Sequence, residues 1–175
     1  MSGSIKIAGH ELVSHDIAND KLVYGTGVPA GTILQVTSGR GASARYDTSS
    51  TTFVSITSAT DVATLTTKFA GSKFFLSMTL SFQLNSNHQF IVDFRRVVAG
   101  VTTQNITGVD GGVTSQFGES TQWKSISYSH LDSPNLAAGT TVSYGLSARV
   151  LGGTLYLNDY AANTFTNITA MEIKT

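Results

Sequence analysis

Between Phe74 and Leu84 every second residue is apolar: Phe74, Leu76, Met78, Leu80, Phe82 and Leu84. Positions 77, 79, 81 and 83 between them are Ser, Thr, Ser and Gln. A period of two held this long predicts a strand with one face on a core and the other toward water or hydroxyl groups. The pattern returns at 140–150, with Val142, Tyr144, Leu146, Ala148 and Val150 on one face and Ser143, Ser147 and Arg149 on the other. Shorter strands are predicted over 32–37, 51–57, 62–69, 122–130, 154–158 and 168–173, with turn residues between them. Phe90, Val92 and Phe94 alternate with polar or β-branched neighbours and read as an antiparallel partner of the strand before them. Gly152-Gly153 reads as a two-residue hairpin that returns 154–158 onto 140–150. Residues 99–118 read as a long connection with one short strand. About nine or ten strands with no helical period favour an all-β antiparallel sandwich or barrel, and a jelly roll fits best.

Residues 1–27 stand apart. Ile5 and Ile7 alternate briefly, and Leu12, Val13, Leu22 and Tyr24 are scattered apolar residues in a polar stretch. The breaker-rich run from Gly25 to Gly31 follows. This segment is too short to bury a core of its own, so it reads as an extended arm that docks on its own domain or on a partner, with residues 28–175 as the globular domain.

Charge narrows the field. Eleven basic residues balance eleven acidic ones, and only 13% of the chain is charged, about half the usual share. No basic stripe is present to track a nucleic-acid backbone, so no nucleic-acid partner is expected. No window reaches the length of an apolar membrane span, so no membrane insertion is expected. The first ten residues lack the apolar run of a secretory signal. Surface polarity comes instead from 45 Ser and Thr residues. A neutral surface of this kind suits a chain partly covered by copies of itself.

The chemistry sought is sparse. There is no Cys, so disulfides and thiolate metal sites are out. No Gly-x-Ser-x-Gly elbow frames a nucleophile, and Glu11, Glu119 and Glu172 sit in no recognisable acid–base pair. His10 and His15, with Asp16, read as exposed polar residues of the arm rather than metal ligands. Asp110 and Asp159 lack the alternating oxygen ligands of a calcium loop. No enzyme, cofactor or metal is therefore expected. Phe74, Phe82, Phe90, Phe94 and Tyr144 are candidate core aromatics. Trp123, Phe75, Tyr156 and Tyr160 fall on the opposite phase or near loops, and are candidates for a subunit interface or for stacking on sugar rings.

Four segments of the C-terminal half carry a resemblance: His130-Leu-Asp-Ser-Pro-Asn135, Thr140-Thr-Val-Ser-Tyr144, Gly153-Thr-Leu-Tyr-Leu-Asn158 and Ile168-Thr-Ala-Met-Glu-Ile173. Together with Val28-Pro-Ala-Gly-Thr-Ile-Leu-Gln35 they resemble a group of structural virion proteins of marine and cyanobacterial bacteriophages. Many members carry an Arg-Asp-Gly turn in the middle strands, where this chain has Phe94-Arg-Arg-Val-Val-Ala-Gly100. The resemblance implies a homotrimeric jelly roll of the tumour-necrosis-factor type, used as a capsid decoration, head fibre or tail fibre on the virion surface and assembled in the host cytoplasm. It implies as partners the chain itself, other capsid or tail proteins, and a host-surface glycan or protein. Two alternatives stand beside it: the receptor-binding tip of a tail fibre, and a carbohydrate-binding or polysaccharide-degrading module.

Overall fold

The computed structural model describes residues 4–7, 9–16, 21–25, 27–40, 46–56, 62–85, 88–108, 114–117, 123–157 and 166–175. Among them the secondary structure is all strand and turn, in three antiparallel sheets. The long alternation becomes β8 (Lys73–Leu84), whose six even-numbered apolar residues are all fully buried. Its two flanks are occupied. On one side lies β12 (Lys124–Asp132), paired from Phe82 to Phe74. On the other lie β15 (Asn167–Ile173) and, beyond it along the strand, β14 (Leu155–Leu157). Then β4 (Ile33–Arg40) pairs with β15 and β5 (Tyr46–Thr48) with β14.

The facing sheet is built on β13 (Thr141–Val150) and β9 (Gln89–Val98), which pair over nine residues. β13 is flanked on its far side by β7 (Ala63–Thr66) and β6 (Val54–Ser55). β9 is flanked by β10 (Val101–Thr103) and β11 (Thr114–Phe117). The inner faces of the two sheets meet in one core. Phe82 packs on Phe90 at 4.6 Å between ring centroids, and Phe74 on Tyr144 at 5.5 Å. All five candidate core aromatics are buried there.

Two expectations of strand pairing are corrected. β9 does not pair with β8; it pairs with β13 in the other sheet. Likewise β14 pairs with β8 and β5, and not with β13. Both connections are arches that carry the chain across the core. This criss-crossing between sheets is what makes the sandwich a jelly roll rather than a stack of hairpins. Gly152 serves the arch: a Cβ there would come within 2.7 Å of Nδ1 of His88, at the end of the neighbouring arch. The connection from 99 to 118 holds two strands where one was expected.

Residues 1–27 do more than extend. β1 (Ser4–Ile7), β2 (His10–Asp16) and β3 (Lys21–Tyr24) form a three-stranded meander. The hinge that follows is tied to the end of the last strand: Gly31 N–H donates to Lys174 C=O, Lys174 N–H to Thr32 C=O, and Lys174 Nζ to Val28 C=O.

Two buried carboxylates brace places where the chain changes sheet, and a third lies in mid-strand. Asp132, at the end of β12, accepts from Arg96 Nη1 on both carboxylate oxygens at 2.7 Å and from the Tyr144 hydroxyl at 2.8 Å. It thereby ties the β8 sheet to the β9–β13 pair. Burial, together with the Asp132 charge it donates to, pushes the Tyr144 hydroxyl far above its ordinary pKa, so it stays a donor. Glu172, fully buried on β15, accepts from the backbone N–H of Lys68 and Phe69 and from Gln35 Nε2. That fixes the turn leading from β7 into β8. Asp93 of β9 is fully buried on the outer face of its sheet, where Thr107 Oγ1 donates to Oδ2. Its Oδ1 has no donor among the described residues. Burial, opposed by the Thr107 hydrogen bond, holds its carboxyl above the ordinary range.

Two predictions follow from these anchors. Asp132→Ala strands a half-buried guanidinium and a buried hydroxyl, and should lower the free energy of unfolding by about 3 kcal/mol. Tyr144→Phe removes one hydrogen bond and should cost about 1 kcal/mol. Denaturant unfolding of both variants measures this, and equal losses would break the ion-pair account. For Asp93 the folded carboxyl is raised, so its contribution is fully present below the unfolded pKa and is lost as pH climbs through the folded value. Asp93→Asn should therefore gain stability relative to the parent as pH rises above the unfolded carboxyl value, about 4. Paired unfolding curves above that pH test it, and a gain that shrinks with rising pH would contradict the sign.

Candidate functional site

The outer face of the β8 sheet presents the side chains that the core does not take. Along β8 these are Phe75, Ser77, Thr79, Ser81 and Gln83, because residues of opposite parity point inward. Strand registers extend each of them into a row across the sheet. Phe75 lies opposite Leu131 of β12 on one side and Met171 of β15 on the other, and Met171 lies opposite Val36 of β4. The row Val36–Met171–Phe75–Leu131 is thus apolar across four strands, on the face away from the core. Ile33 and Ile173 pair beside it. Val36 is 55% exposed, Ile33 53% and Leu131 48%, while Phe75, Met171 and Ile173 are half-buried.

The next row along the sheet is Ser38–Thr169–Ser77–Ser129, and beyond it Thr79 lies opposite Ser127. Hydroxyls bond across the strands here, Ser38 with Thr169 at 3.1 Å and Thr79 with Ser127 at 3.2 Å. The other sheet has the same device on its outer face, where Thr64 meets Ser143 and Thr66 meets Thr141. A shallow pocket of about 300 Å³ opens there, lined by Val62, Arg95, Val97, Thr102 and Ser143. Burial lowers the pKa of Arg95, which remains a cation at any working pH.

Phe75 and Tyr156 both lie on the outer face of the β8 sheet, about 27 Å apart along the strand direction by strand rise. Trp123 is half-buried just before β12. Tyr160, Asp110 and Asp159 lie outside the described residues. In the arm, Leu12 and Val13 of β2 are half-buried and line an apolar cleft of about 180 Å³ with Val28, Pro29 and Thr32 of the hinge. Ile5 of β1 is exposed, and Ile7, Leu22 and Tyr24 take their places in β1 and β3. Among the described residues no three of His, Asp and Glu gather as a metal site, and no helix is long and apolar enough to cross a membrane.

Sequence reasoning singled out Phe75 but not its companions Val36, Met171 and Leu131. The signal was present. Each is an apolar residue on the water-facing phase of its strand, flanked by residues of the buried phase such as Ala170, Glu172 and Asp132. A phase-breaking apolar residue means little alone, since exposed apolar side chains are common. Four of them in register make a patch, and register is a tertiary fact.

No family model matches the chain, and no curated protein matches it. Several solved structures are similar to it in fold. The Eiger TNF of S. frugiperda has 12% identity and a TM-score of 0.40, over 82% of this chain and 94% of that one. The PRD1 vertex protein P5 has 14% identity and a TM-score of 0.39, over 82% of this chain and 100% of that one. The infectious bursal disease virus Gx strain structure has 10% identity and a TM-score of 0.41, and its match takes in 100% of this chain but 42% of that one.

Proposed function

We propose that this protein is a non-enzymatic structural component of a virion, a homotrimeric jelly-roll decoration or short fibre held on a capsid or tail through residues 1–27. The observation that carries the reading is the apolar row Val36–Met171–Phe75–Leu131 with Ile33 and Ile173 beside it. In a lone chain this row faces water. Covering it stabilises an assembly by about 1 kcal/mol for each half-exposed side chain removed from solvent. A second copy is the natural cover, because the adjoining row of the face presents hydroxyls that already satisfy one another, with Lys73 opposite Ile173 as the charge at the edge of the patch. The virion setting is supported by the sequence resemblance, whose Leu131-Asp132-Ser133-Pro134 and Met171-Glu172-Ile173 segments contribute both to the buried anchors and to the row.

Chain polarity suits an attachment role. The hinge, the β7–β8 turn and the C-terminal strand end lie together, as the bonds of Gly31 and Thr32 to Lys174 and of Thr175 Oγ1 to Gly71 C=O require. The arches after Leu84 and Val150 lie at the other end of the strands. An arm docked at the first end leaves those arches pointing outward, toward a host surface.

Light scattering tests the assembly. The intact chain should run near three times 18.5 kDa, and removal of residues 1–27 should leave that ratio unchanged. The double variant Val36→Lys, Leu131→Lys should fall to a single chain, its self-affinity weakened at least about 100-fold, with an unchanged circular dichroism spectrum. A parent protein that is monomeric at high concentration would overturn the trimer, and a double variant that stays trimeric would move the interface elsewhere.

A further inference from the structure

Eight residues along β8 from Phe75, at the arch end of the same face, the cross-strand row changes character. Gln83 of β8 lies opposite Tyr156 of β14, and Tyr156 lies opposite Asp47 of β5. On the other flank of β8, Lys124 lies opposite Phe82, so Trp123 arrives level with Gln83. Thr48, Leu155, Leu157 and Phe82 are all buried. Asp47, Tyr156, Gln83 and Trp123 have the other parity and belong to the outer face. Asp47 is exposed and the other three are half-buried. The row reads carboxylate, phenol, amide, indole.

We propose that this row is a carbohydrate-binding platform for an extended chain of neutral pyranose sugars. A pyranose ring offers a C–H face and a rim of hydroxyls. The C–H face stacks on an aromatic ring that is apolar in its body and polar at its tip. Gln83 carries both a donor and an acceptor, as a hydroxyl that must do both requires, and Asp47 supplies an acceptor for a pair of hydroxyls. Tyr156 and Trp123 flank Gln83, so their backbones stand about 10 Å apart, two strand spacings. That is close to the length of two pyranose rings in an extended chain, which places every second ring on an aromatic residue with the amide beneath the ring between them. Asp47 repels acidic sugars, and no basic residue of the row would offset that. The row runs across four strands, β5, β14, β8 and the start of β12, which suits a polymer lying across it rather than a small molecule enclosed. The inference stands apart from the self-association reading, since the apolar row lies at the opposite end of β8.

Trp123 is the single tryptophan of the chain, so its fluorescence reports on the site directly. The intact protein is titrated with soluble neutral hexasaccharides (glucan, xylan and mannan) and with an acidic hexuronan, up to millimolar sugar. At least one neutral sugar should shift the emission saturably, and the hexuronan should not. Tyr156→Ala should weaken that binding by about tenfold, and Tyr156→Phe should restore most of it. Trp123→Ala, followed by calorimetry, should do the same, with trimer mass and circular dichroism unchanged. Absence of a response to every neutral sugar overturns the proposal, as does binding indifferent to Tyr156→Ala. Loss of the trimer mass in Trp123→Ala, with no sugar response in the parent, assigns the row to a second copy instead and likewise overturns it. The double variant Val36→Lys, Leu131→Lys should still bind sugar, which separates failure of this site from failure of the assembly.

Discussion

The inner row of β8 cannot be wetted. Six large apolar side chains in one strand demand a facing surface of equal length, and only β9 and β13 together supply one. The second sheet exists, in this sense, because the first has a strand that would otherwise expose it. Everything at the margins follows from that contact. The strands flanking β8 extend its inner face sideways, and the arches at its ends are the cheapest way to carry the chain from one wall of the core to the other. A two-sheet core of this kind tolerates little lateral slip, since moving a strand by one residue turns its apolar set outward.

Hydrophobic contact alone would leave the two walls free to shear, because it has no direction. The buried carboxylates supply direction. Asp132 reaches across to Arg96 and Tyr144, and Glu172 pins the turn that feeds β8. Both lie on strands adjoining β8, one on each flank, opposite the same residue, Phe74. The sandwich is therefore locked at one end of its longest strand. Asp93 is different in kind: it is buried under its own sheet's outer covering by Thr107.

Much of the fold was legible in the chain because alternation reports which face of a strand is dry. The strands β8, β13 and β15, and all five core aromatics, could be read that way. What alternation does not report is which strand a neighbour will choose. Phe90, Val92 and Phe94 alternate as well for a hairpin on β8 as for an arch onto β13, and Gly152-Gly153 suits either. The three-stranded arm escaped notice because two of its strands are only four residues long, too short for alternation to show, and ladder bonds leave little mark on composition. At the surface, Trp123, Phe75 and Tyr156 could be noticed as out-of-place aromatics. Their partners could not: Gln83 and Asp47, like Val36 and Leu131, become meaningful only when registers set them side by side. Likewise Asp132 and Glu172 stood inside recognisable segments of sequence, but nothing in those segments said that each carboxylate lies buried.

Both sheets finish their outer faces with bonded pairs of Ser and Thr, where most proteins would place Lys and Glu. A charged surface works through fields that reach as far as the Debye length allows, about 10 Å at 0.1 M salt and 3 Å at 1 M. A hydroxyl surface has no such range to lose. Its hydration and its contacts act only on touching, so brine and fresh water look alike to it. Contacts made through these hydroxyl pairs would therefore keep their strength from dilute buffer to concentrated salt.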